Sequence, residues 1–192
     1  MYNQTYVELC MTALAYIGVD ADVCNIEDPS PDNPWEKRCK RHFMPTLKKV
    51  LATHMPMFAI KETTITKTAD GEFRIPADCL RVFSVNEICG DDIHEEGGLI
   101  KCDFGLFGDT IKIKYIHLVE ETGYWTPEFL YLFPYELACE LVVYLNDVGK
   151  LNTAISLRDA ARREVGGLNA QRVRLKRRFK GIYKKKWHFP VR

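Results

Sequence analysis

The apolar residues of this 192-residue chain change period twice, and that limits the fold more than any motif does. Up to Pro56 they recur every three or four positions. Between Phe58 and Val119 they alternate, and from Thr126 the helical spacing returns. A helix buries a stripe and a strand buries one face, so the order helix, strand, helix calls for an α+β architecture. Helices from both ends form a bundle, and a small antiparallel β-sheet domain is inserted between them.

The stretch TYVELCMTALAYIGV places Val7, Cys10, Leu14 and Ile17 at helical spacing with Met11 beside them, and predicts a helix over about 4–17 that Gly18 closes. DADVCNIEDPSPDNP, dense in Asp and Pro, reads as a loop. A second helix opens with Asn33 as cap, Pro34 at the first helical position and Glu36 at the third. Pro45 inside it predicts a kink, because proline removes one backbone bond and crowds the preceding turn.

From Phe58 the runs FAIKETTITKT, FRIPADCLRVFSVNEI, GGLIKCD and DTIKIKYIHLV predict a single sheet of about four or five strands. Ile111, Ile113 and Tyr115 share one face of the last run, and Lys112 and Lys114 the other. The breaks ADGE, GDD, EEGG and FGD suit turns and hairpins. A third helix starts with Thr126 as cap and Pro127 at the first helical position. It carries Phe129, Phe133, Leu137, Leu141, Tyr144 and Leu145 as a stripe, bends early at Pro134, and is expected to end at Gly149. The last helix is expected over about Leu151 to Arg178, with Ala154, Leu157, Ala161, Val165 and Leu168 at spacings of three and four. Gly166 and Gly167 weaken it by about 1 kcal/mol each relative to alanine. Four segments result: N-terminal helices over 1–57, the β domain over 58–120, C-terminal helices over 121–171, and a basic aromatic arm over 172–192.

Few signs of chemistry appear. The seven cysteines are odd in number and widely spaced, with no CxxC or CxxH pair, which points to a reducing cytoplasm and away from a zinc site. Nucleotide-binding, metalloprotease and nucleophile-elbow motifs are all missing. His117 reads as an ordinary strand histidine. Cys79 and Cys139, among apolar neighbours, read as small buried hydrophobes. Asp91, Asp92, Glu95 and Glu96 could hold a hard cation but lack a spaced ligand pattern, so a solvated turn is the simpler reading. No enzyme activity, cofactor or metal is expected. With no apolar run of about 18 residues and no signal-peptide pattern at its start, the chain is expected to be soluble and not exported by that route.

Charge is divided along the chain. Val165–Arg192 holds ten basic residues and no acidic one, which leaves 17 basic and 26 acidic residues before it, a net of −9. The closing RVRLKRRFKGIYKKKWHFPVR also carries Phe179, Tyr183, Trp187 and Phe189. Three readings of this arm stand side by side. It could be a solvated end. It could bind nucleic acid without sequence preference, its cations neutralising phosphates and its aromatics stacking on bases. Or it could dock on an acidic protein surface, with aromatic anchors between steering charges.

Three stretches together, FRIPADCLRVFSV (73–85), IKIKYIHLVEETGYWTPEFLYLFPYELACELVVYL (111–145) and TAISLRDAARREVGGLNAQ (153–171), resemble the tail tubular protein A family of short-tailed bacteriophages, the head-to-tail adaptor or connector proteins. ALAYIGV (13–19) and LKKVLATHMPMFAIKETTI (47–65) fit the same pattern, so the resemblance covers most of residues 4–171. It implies a virion structural protein of the phage neck, assembled in the host cytoplasm. Twelve copies would form a ring joining the portal protein to the tail nozzle or hub, with a helical bundle facing the portal. Phage DNA would pass through the bore without sequence-specific binding, and an acidic wall would not trap its phosphates. No membrane partner is implied. The resemblance does not extend to 172–192. There the docking reading assigns Arg172, Arg174, Lys176, Arg177, Arg178, Phe179, Lys180, Tyr183, Lys184, Lys185, Lys186, Trp187 and Phe189 to portal contact. The alternative is a sequence-independent nucleic-acid-binding protein that uses the same arm.

Overall fold

Thr5 opens the first helix. In the computed structural model, which describes residues 5–23, 25–26, 33–86, 88–89, 94–101 and 108–185 and the side chains of all these but 88–89, 94, 101 and 168–185, α1 spans Tyr6–Tyr16. The Thr5 side chain accepts from the Glu8 amide, and the Glu8 carboxylate accepts from the Thr5 amide. This reciprocal pair satisfies two amides that the first turn leaves without partners. Leu9, Cys10, Ala13 and Leu14 face inward, and Met11 lies on the exposed side rather than beside the core stripe. Gly18, at φ +67°, follows the helix in the left-handed conformation that glycine adopts without strain.

Helix α2 spans Pro34–His54 and begins as the sequence predicts, with the Asn33 side chain accepting from the Trp35 amide at 2.8 Å. Helix α3 spans Pro127–Leu141. Both continue through an internal proline, Pro45 and Pro134. Thr126 holds the cap position of α3, but its side chain makes no capping bond. The stripe expected to reach Leu145 as one helix breaks after Leu141 into a 3₁₀ turn over Val142–Leu145. Asn146, left-handed at φ +51°, closes that turn, so the terminator is Asn146 and not Gly149. Asparagine is the residue after glycine that best tolerates this conformation. Gly149 instead lies in the first turn of α4, which spans Val148–Lys185, starting earlier and ending later than expected. The Asp147 carboxylate accepts from the Lys150 amide and caps it.

Among the described residues the β segment holds seven strands in two sheets instead of one sheet of four or five. They are β1 Ile60–Thr66, β2 Phe73–Arg74, β3 Cys79–Val85, β4 Ile88–Cys89, β5 His94–Glu96, β6 Leu99–Lys101 and β7 Thr110–His117. One antiparallel sheet has the order β1-β7-β3-β4, and the other β2-β6-β5. Two- and three-residue strands are too short to show a period, which is why they escape a reading by alternation. The EEGG hairpin forms as expected: Gly97 and Gly98, both at positive φ, turn β5 into β6. The Asp91–Asp92 part of the acidic cluster lies outside the described residues. Its Glu95 accepts from the Val82 amide at 2.8 Å.

Two cores result. Leu9, Leu14, Phe43, Leu47, Leu51, Phe133, Leu137 and Leu141 fill the space between α1, α2 and α3. Each such side chain, fully buried, contributes about 1.5–3 kcal/mol. The second core joins the faces of the two sheets through Phe73, Val82, Ile100, Ile111, Ile113 and Tyr115. Strand β7 serves both, because successive side chains point to opposite faces: Tyr115 enters the sheet core and Ile116 the helical one. Lys112 and Lys114, on the other face from Ile111 and Ile113, form ion pairs with Glu62 of β1. His117 bonds the Ala59 carbonyl through Nδ1 at 2.8 Å, a contact within the fold.

Candidate docking interface

The last helix is rooted in α3. Ala154, Ala161 and Val165 are its buried positions among the described side chains, and the last two pack with Leu132. Small side chains at this spacing let two helices approach closely. Leu157, expected in the stripe, is exposed. Tyr131 with Glu164 and Glu136 with Arg162 pair higher positions of α3 with lower positions of α4, so the two helices run antiparallel and α4 leaves past the start of α3.

A charged clamp fixes this root. The Glu136 carboxylate is buried on α3, its side chain only 4 % exposed. Arg162 donates to it twice, Nε to Oε1 at 2.5 Å and Nη2 to Oε2 at 2.7 Å, in the fork geometry that guanidinium and carboxylate share. His54 Nε2, at the end of α2, lies 3.4 Å from Oε1. Burial raises the Glu136 pKa, but the His54 and Arg162 hydrogen bonds and charges outweigh it and bring the group down to about 2. The same hydrogen bond raises the Arg162 pKa. One carboxylate thus joins α2, α3 and α4.

Beside the clamp stand three tyrosines. Tyr16 of α1 stacks on Tyr135 with ring centres 4.2 Å apart, and Tyr131 meets Tyr135 edge-on at 5.3 Å. The Tyr131 hydroxyl donates to Glu164 at 3.1 Å. Its pKa is pushed up to about 12, first by the hydrogen bond with Tyr135, then by burial and Glu164. The Tyr131 hydroxyl thus donates to Glu164 while its ring meets Tyr135, which stacks on Tyr16, so the exit of α4 is tied to α3 and α1.

Beyond Val165 come Gly166 and Gly167, both exposed, with no atom within 4 Å of where a Cβ would stand. The helix runs on through them, and through Gly181, to Lys185. Of the residues assigned to docking, Arg172, Arg174, Lys176, Arg177, Arg178, Phe179, Lys180, Tyr183, Lys184 and Lys185 lie on this helical backbone, and their side chains are outside the described residues. Lys186, Trp187 and Phe189 lie outside the described residues entirely. The residues that the sequence reading missed are those of the root: His54, Glu136, Arg162, Tyr131 and Glu164. Each looks ordinary in its local sequence, and only the packing of α2 and α4 on α3 brings them together.

Among the described residues, cysteine chemistry does not add a site. Cys10 and Cys39 are fully buried and hydrogen-bond each other, which raises the Cys10 pKa and lowers that of Cys39. Cys79 and Cys139 are half-buried rather than buried, and burial pushes both thiols up, Cys79 to about 12. Among the described residues no helix is long and apolar enough to cross a membrane. No protein-family model matches the chain, and no curated protein sequence matches it.

Proposed function

We propose that the protein is a head-to-tail adaptor of a short-tailed phage virion, a ring-forming structural subunit that joins the portal to the tail nozzle or hub and carries out no catalytic step. The supporting observation is the helix that leaves the body. Among the described side chains α4 is buried on α3 as far as Val165, and its backbone continues for twenty residues to Lys185, roughly 30 Å at 1.5 Å per residue. That projecting stretch begins the segment that holds ten cations and no carboxylate. Such a projection, with Phe179, Tyr183, Trp187 and Phe189 as anchors, suits a groove on an acidic partner, which in this reading is the portal protein. The α+β order of helices, sheets and helices is the one that the resemblance implies. Twelve-fold repetition, also implied by the resemblance, would let individually weak arms hold firmly through avidity.

The test is a chain ending at Ala170, mixed with portal protein and sedimented. The truncated protein is expected to keep the helical signal and melting temperature of the body and to fail to co-sediment with portal. Normal attachment of the truncated chain would refute the docking role of the arm.

A further inference from the structure

The body has a cationic face of its own, on α2. Pro34–His54 holds six Lys or Arg and one carboxylate, Glu36, which is buried. The rest of residues 1–164 holds 11 basic and 25 acidic residues, so α2 stands as a positive helix on a negative body. Three of its cations, Arg38, Lys40 and Lys49, are occupied by the fold. The Arg38 guanidinium lies between the Trp35 and Tyr144 rings, at 4.3 and 4.7 Å from their centres, and Lys49 donates to Glu140 at 2.7 Å. Lys37, Arg41 and Lys48 are different. All three are exposed, and among the described residues no carboxylate pairs with them. At 100° per residue they fall within an arc of roughly 40°, and they extend over about 16 Å of helix.

We infer that this face of α2, carried by Lys37, Arg41 and Lys48, is a docking surface for the phosphate backbone of double-stranded DNA, bound without sequence preference. Duplex DNA presents a negative charge about every 1.7 Å along its axis, so a straight row of cations finds phosphates in any register. A protein partner is the poorer fit. Protein interfaces rest on buried aromatic or aliphatic anchors, and none of the exposed large hydrophobic residues among the described residues lies between Pro34 and His54. The negative charge elsewhere on the body weakens the attraction without removing it, since charges more than about 8 Å apart are largely screened at physiological salt. This surface is separate from the C-terminal arm and does not depend on the adaptor reading.

The experiment follows a fluorescent duplex by anisotropy as salt is raised from about 50 to 200 mM, using the full-length protein. The variant Lys37→Gln/Arg41→Gln/Lys48→Gln is compared with Lys67→Gln/Arg74→Gln/Lys150→Gln, which removes the same charge from exposed positions elsewhere. Circular dichroism confirms that both keep the parent's helix content. The arm is intact in both, so their difference reads α2 alone. The α2 variant is expected to lower the slope of log affinity against log salt by about 2.7, at 0.9 per phosphate contact, while the control keeps the parent slope. An unchanged slope, or equal losses in both variants, overturns the proposal. If the α2 variant instead loses binding to polyglutamate and not to the duplex, the face belongs to an acidic protein and the DNA assignment is wrong.

Discussion

Glu136 is the residue at which three helices meet, and its ionisation carries a measurable share of the stability. An ordinary glutamate titrates near 4.3, and this one is held near 2. The unfolded chain therefore takes up the proton first as pH falls. The stabilisation is complete above about pH 5 and is lost as pH drops through the folded value near 2, a difference of about 3 kcal/mol. Arg162→Met should flatten that acid limb and cost about 2 kcal/mol at neutral pH, less than for a fully buried pair because the arginine side chain is about a third exposed. Denaturant titrations of parent and variant between pH 2 and pH 7 check both statements, and an unchanged acid limb would show that Glu136 is not the group responsible. None of this is legible in the sequence. Glu136 sits in LFPYELACE, where it reads as one polar position in an apolar run, and its partners are 82 and 26 residues away. Asn33 was legible because a cap acts within one turn, whereas Asn146 was hidden by the Gly149 that follows it.

At the scale of elements, two exposed glycines follow Val165, the last buried position of α4 among the described side chains. Gly166→Ala with Gly167→Ala meets open space and should gain about 1 kcal/mol per site in the helix. Val165 is the last buried position among the described side chains, so the gain is expected in the stretch beyond it rather than in the body. Amide exchange at 168–180 should slow by roughly ten- to thirtyfold in the double variant, while the melting temperature of the body stays within a degree or two. A rise in the body's melting temperature with no change in exchange would place the glycines inside the cooperative core. The helices were legible here because their apolar periods run over three turns or more. The second sheet was not, since β2, β5 and β6 have two or three residues each and are defined by pairing across the chain. Helical continuity through Gly166 and Gly167 was legible as well, because the spacing of Ala154, Leu157, Ala161, Val165 and Leu168 runs across them.

For the whole molecule, the sharing of β7 between two cores decides how the parts unfold. Tyr115 and Ile116 are adjacent in sequence and buried in different clusters, so the sheets cannot lose their packing without disturbing the strand against which the helices rest. Phe73→Ala opens a cavity in the sheet core and should cost about 3–5 kcal/mol. If the two cores form one cooperative unit, tryptophan fluorescence in a Trp187→Phe background, which reports Trp35 and Trp125 at the bundle, and far-ultraviolet dichroism will shift their denaturant midpoints together. A shift in dichroism alone would show that the sheets unfold separately. The general order of the fold follows from two changes of apolar period, but the joining of its parts rests on one strand whose alternate residues face opposite ways.

The antiparallel seating of α4 on α3 also has a mechanical consequence. A pull on the C-terminus along the axis of α4 loads this seam in shear, so the Glu136–Arg162 fork, the Tyr131–Glu164 bond and the Ala161 and Val165 contacts must give way together. A sideways pull peels the same contacts one at a time, beginning with the Val165 and Tyr131–Glu164 contacts nearest the exit. The root is therefore built to bear tension along the helix and to yield to torque across it.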